Sequence, residues 1–160
     1  MRIPNSFVTR FTQAADLKLA CVFYSLIHKN TKRNLLGYEI TVKQTTLVSL
    51  CGFSVSTVKR AASSLLKSGF IKSQKRQTNA PGKLGTYTYT IEAVSTASKY
   101  FTMDKKLISR LNGNEFRVYA MCCKLADSSH KSFFQSYNDL SQLLGMSRQD
   151  VLRTIEKLVK

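Results

Sequence analysis

Two sets of apolar and turn residues repeat along this chain at a fixed spacing. Leu47, Leu50, Gly52, Ser54, Val58 and Leu65 return 93 positions later as Leu140, Leu143, Gly145, Ser147, Val151 and Leu158. Each set reads as a short apolar helix, a glycine turn, a serine cap and a second, amphipathic helix. Gly52 and Gly145 stand where the first helix must end, in a left-handed conformation that costs little without a Cβ. Ser54 and Ser147 can each accept a backbone N–H at the start of the next helix. Thr41-Val42-Lys43-Gln44 has the form of a capping box for the helix before the turn. Upstream, residues 17–26 parallel residues 116–125 at an offset of 99. Both stretches are rich in apolar residues and free of Gly and Pro, which predicts buried helices. Residues 7–11 match 107–111 more loosely. The offset changes because the link after the first buried helix is longer in the first copy, where 29–34 is a polar surface loop. Duplication is the simplest account. It predicts two units, 1–98 and 99–160.

A third glycine, Gly69, is expected to end the amphipathic helix of unit 1 in the same way. Residues 70–76 then read as a strand, 77–85 as a turn-rich loop, and 86–91 as a second strand with period-two alternation. Tyr87, Tyr89 and Ile91 fall on one face and the threonines on the other. The result is a β-hairpin with Lys75, Arg76 and Lys83 near its tip. The sequence runs out at Lys160, within or just after the last helix of unit 2. That unit is therefore expected to lack most or all of a hairpin. The predicted fold class is mainly α with a small β-hairpin (α+β).

Charge adds what periodicity cannot. The chain of 160 residues carries 25 Lys+Arg against 9 Asp+Glu, a net charge of +16. Such an excess favours polyanionic partners, nucleic acid foremost. It is uneven: residues 1–98 hold 14 basic and 3 acidic side chains (+11), and residues 99–160 hold 11 and 6 (+5). No acid occurs between Glu39 and Glu92. The apolar stretches are interrupted by charge, so no membrane span is expected. The first five residues lack the apolar core of a secretory signal, which suggests a cytoplasmic protein. Cys21, Cys51, Cys122 and Cys123 contain no C-x-x-C pair and no His at ligand spacing, so neither metal nor disulfide is expected. Cys21 and Cys51 read as small core hydrophobes. Of the adjacent Cys122 and Cys123, one is expected to face outward.

The repeated turn, the hairpin and the Ile3-Pro4 entry ahead of Phe7 resemble a winged helix-turn-helix, and the pairing resembles a tandem of two such units. Tandems of this spacing are similar to the replication initiators of plasmids and phages. The resemblance implies that the helix after Ser54 reads double-stranded DNA in the major groove. On a helical wheel Val58, Ala61, Ala62, Leu65 and Leu66 form the core face, and Ser56, Lys59, Arg60 and Ser63 the outward stripe. Arg60 is the candidate for a bidentate guanine contact and Lys59 for a phosphate. Thr57 could offer hydroxyl and amide to a phosphate at the helix amino-terminus. Lys43, Ser54, Lys67, Lys75, Arg76 and Lys83 complete the candidate DNA surface. In unit 2 the equivalent stripe is Gln149, Leu152, Arg153 and Glu156. Leu152 would offer water an apolar surface and Glu156 would face phosphates. Arg148, Gln149 and Arg153 are therefore at most a secondary contact. Unit 2 reads as a helper, through which a second copy or a replication or regulatory protein would bind.

Catalysis finds no footing. His28 and His130 lie in no nucleophile or metal motif, and neither a phosphate loop nor a carboxylate pair is present. No cofactor is expected. Three functions remain: a replication initiator or its DNA-binding portion, a dimeric transcriptional repressor, and a mobile-element adaptor or inhibitor acting on a protein–nucleic-acid complex.

Overall fold

The computed structural model describes residues 1–77, 86–95, 98–126 and 132–159. In chain order the elements are β1 (Arg2–Pro4), α1 (Ser6–Arg10), α2 (Ala14–Ser25), β2 (Gly37–Val42), α3 (Gln44–Cys51), α4 (Val55–Lys67), β3 (Ile71–Arg76) and β4 (Tyr87–Glu92). The second half follows with β5 (Tyr100–Thr102), α5 (Leu107–Arg110), α6 (Gly113–Leu125), α7 (Tyr137–Leu144) and α8 (Arg148–Val159). The protein is mixed α+β, with eight helices and two small antiparallel sheets among the described residues. None of these helices is long and apolar enough to cross a membrane.

The helix order of the first half, α1 to α4, recurs as α5 to α8. Gly52 (φ 66°) and Gly145 (φ 59°) end α3 and α7 in the left-handed region. Gly69 (φ 75°) follows α4 in the same conformation. Ser54 caps α4 by accepting the Thr57 amide, and the Ser147 hydroxyl accepts the Asp150 amide. Asn112 and Ser136 close true capping boxes with Glu115 and Asp139 at the starts of α6 and α7. The expected box at Thr41 does not form. Thr41 is a strand residue of β2 whose hydroxyl lies 3.0 Å from that of Thr88, and α3 starts at Gln44 after an uncapped Lys43.

β2 was not anticipated from the polar link that precedes it. It pairs with β4 from Gly37↔Glu92 to Val42↔Tyr87, giving a three-stranded sheet in the order β2-β4-β3. Tyr89 and Ile91 are buried on the inward face as the alternation predicts. Thr90, expected to face solvent, is also buried, and it accepts a hydrogen bond from Ser73.

One continuous core joins the halves. The entry segments of the two repeats pair with each other, β1 antiparallel to β5 with Ile3 opposite Phe101. Helix α2 packs against its counterpart α6. Phe7, Phe11, Tyr24 and Phe70 form an edge-to-face aromatic cluster, with centroids 5.2–5.5 Å apart. Cys21 and Cys51 are buried, whereas Cys122 and Cys123 are both half-buried, so the pair straddles the core boundary instead of dividing between core and solvent.

Burial leaves a signature in titration. It pushes the thiols of Cys51 and Cys122 up to about 12 and about 11, and the hydroxyls of Tyr89 and Tyr119 up to about 12. Each group keeps its proton in the fold after the unfolded chain would release it. Its stabilisation is complete below the unfolded pKa and disappears as pH rises through the folded value. Lys18 has the opposite sign, because burial lowers its pKa. Burial also raises Cys21, Tyr24 and Cys123 and lowers Arg117, so seven groups against two should make stability fall above about pH 9. Urea midpoints measured from pH 7 to 11 would decline; a flat profile would contradict the burial of these groups.

Candidate nucleic-acid interface

Burial of Val58, Ala61, Ala62 and Leu65 fixes the rotation of α4. The opposite side presents Ser56, Lys59, Arg60, Ser63 and Lys67, all exposed. At the amino-terminus the Ser54 hydroxyl lies 3.0 Å from that of Ser56 and 2.9 Å from that of Thr57, and it accepts the Thr57 amide at 3.3 Å. Thr57 is half-buried, and its amide is taken by the cap. It is therefore poorly placed for the phosphate contact read from sequence, while Ser56 stays open.

The ion pairs among the described residues are Arg10–Glu92, Lys32–Glu39 and Lys72–Glu92. They remove Lys72 from the free charge of the acid-poor stretch. Lys59, Arg60 and Lys67 have no carboxylate partner among the described residues, so the α4 stripe carries uncompensated positive charge.

The hairpin divides its cations between two faces. Cross-strand partners share a face of a sheet. Arg76 is opposite Tyr87 and Gln74 opposite Tyr89, on the side that meets α4. Lys75 is opposite Thr88, which in turn pairs with Thr41, on the outer side. Lys75 there lends a favourable charge to Glu39. Arg76, not Lys75, thus stands on the sheet face that meets α4. Lys43 is exposed beside the start of α3. Lys83 lies outside the described residues.

Between α4 and the sheet runs a cleft of about 250 Å³, lined by Gln44, Val58, Lys59, Ala62, Ser63, Leu66, Gln74, Tyr87 and Tyr89. Leu66 was expected in the core. It is 41% exposed and lines the cleft instead. The side chains of Gln44, Lys59, Ser63, Gln74 and Tyr87 converge on the cleft without a hydrogen-bond partner among the described residues. Sequence reading missed Gln44, Gln74 and the exposed side of Tyr87. The alternation of β4 put Tyr87 on the inward face, but that pattern does not say that the residue is half-buried and lines a cleft.

In unit 2 Arg148, Gln149, Arg153 and Glu156 are exposed along α8. Asp150 accepts a hydrogen bond from the Ser147 hydroxyl in the first turn. Leu152 is half-buried rather than open to water. This face mixes signs where α4 does not.

The second half of the chain also touches the turn that orients α4. Lys18, fully buried on α2, donates from Nζ to the Leu111 carbonyl at 2.6 Å and lies 4.3 Å from the Phe53 ring centroid. Phe53 belongs to the α3–α4 turn, and Leu111 ends α5, so one ammonium ties the two together. A Cβ built on Gly52 would lie 2.3 Å from the Ser109 carbonyl oxygen of α5.

Comparison of the chain with protein-family models, with curated proteins and with solved structures finds no match.

Proposed function

We propose that the chain is a double-stranded DNA-binding protein built as a tandem of winged helix-turn-helix units, and that it serves as a plasmid- or phage-type replication initiator or its DNA-binding portion. In this reading α4 is the recognition helix, β3–β4 the wing, and unit 2 a helper. The observation that carries it is the α4 stripe: short hydroxyls and cations, no acid, no internal ion pairs, and Arg76 on the sheet face that meets α4. Short side chains let a helix axis approach the groove floor, and Arg60 is long enough to reach a guanine edge. The pairing of β1 with β5 favours the initiator over a dimeric repressor. It joins the two repeats within one chain, so that a monomer would carry the pair of units that a repressor obtains from two copies. Whether the protein acts in replication is a further step, and it rests on that tandem organisation.

The test is a comparison of matched substitutions. Arg60→Ala should weaken duplex binding by about 1–3 kcal/mol and relax base preference at one position. Arg153→Ala on α8 should cost much less. Binding isotherms and footprints on DNA from the gene's own neighbourhood would measure both. Equal losses would remove the assignment of reader and helper, and no duplex binding at moderate salt would remove the DNA-binding reading altogether.

A further inference from the structure

We infer that the cleft between α4 and the sheet is a pocket for a single unpaired nucleobase. This rests on the DNA-binding reading and extends it from paired to unpaired DNA. The walls fit a flat heterocycle. Half-buried Tyr87 supplies an aromatic ring from β4, and Leu66 of α4 a 41% exposed apolar side chain in the same lining. Enzymes that take a base out of the helix hold it between such aromatic and apolar surfaces and read its edge by hydrogen bonds. Gln44 and Gln74 bring amides that both donate and accept, the complement of a base edge, and neither is engaged by a described residue. Lys59 and Ser63 belong to both the cleft and the outward stripe of α4, so a base in the cleft would stay joined to a strand lying along that stripe. A phosphate is the poorer occupant. The lining holds one cation and no arginine, whereas the apolar and amide groups have no use for an anion.

Unstacking a base from a paired duplex is costly, and a base that is already unpaired avoids that cost. The pocket should therefore favour duplexes with a local opening. The probe is a duplex with a central unpaired nucleotide, compared with the same duplex fully paired. Native protein should bind the opened form about tenfold more tightly, within the range of one base–aromatic stack. With 2-aminopurine as the unpaired base, its emission should fall on binding as it stacks on Tyr87. Tyr87→Leu should abolish both the preference and the quenching while leaving affinity for the paired duplex unchanged. Gln74→Ala, at an exposed strand position, should reduce the preference without risk to the core.

The outcomes separate the two levels. Paired-duplex binding with no preference for the opening, or a preference that survives both substitutions, overturns the pocket and leaves the DNA-binding reading intact. Absence of binding to any DNA overturns both.

Discussion

Gly52→Ala should destabilise the protein by on the order of 4 kcal/mol, while Gly145→Ala at the matching position of the repeat should cost about 1–2. Both glycines hold left-handed backbone, at φ 66° and 59°, so both substitutions carry the same conformational penalty. The surroundings make the difference. At Gly52 the new Cβ would sit 2.3 Å from the Ser109 carbonyl oxygen and 3.1 Å from its carbon. These are backbone atoms, so no rotamer change relieves the clash, and α5 must lift off the turn. At Gly145 nothing lies within 4 Å of the added atom. Lifting α5 would also pull the Leu111 carbonyl away from the buried Lys18 ammonium and leave that charge without its acceptor. For a chain of this size, thermal unfolding should read the contrast as a drop of roughly 8–16 °C for Gly52→Ala against a few degrees for Gly145→Ala. Equal shifts would mean that the turn of unit 1 does not rest on α5.

That contrast marks the limit of what the repeat could reveal. Matching glycines, serines and leucines foretold matching turns and helices, because caps and left-handed termini are decided within a few residues. The pairing of β1 with β5 had no local signal. Three-residue strands carry almost no periodicity, and only the docking of α2 on α6 brings the entry segments side by side. β2 was hidden for a related reason. Residues 37–42 alternate weakly, and a T-x-x-Q pattern within them imitated a helix start, but pairing with β4 drew Thr41 into the sheet. The α4 stripe was legible residue by residue, since one amphipathic helix fixes its own faces. The cleft beside it was not, because it depends on how α4 packs against strands distant in sequence. Leu66 shows the consequence. Its wheel position is apolar and inward, yet it is 41% exposed in the cleft.

Affinity for duplex DNA should fall steeply with salt, and two neighbouring residues should differ in their share of that slope. Apart from Arg60, which is assigned to a base edge, Lys59 and Lys67 of the α4 stripe, Arg76 on the sheet side that meets α4, and Lys43 at the start of α3 are exposed cations, and none has an ion pair among the described residues. Four phosphate contacts release enough counterions for a logarithmic slope of about −3.6, or about a 150-fold loss of affinity between roughly 50 and 200 mM salt. Arg76→Gln should flatten this slope by about one. Lys75→Gln should leave it nearly unchanged, although the two residues are adjacent, because strand alternation places Lys75 on the outer face with Thr88. Lys72→Gln is a second control, since that ammonium is already engaged by Glu92. Titrations of the native chain and the three variants against one duplex over this salt range would decide it. If Lys75→Gln flattened the slope as much as Arg76→Gln, DNA would have to approach the sheet from its outer face. The recognition role of α4 would then fall with that geometry, because α4 packs on the other side.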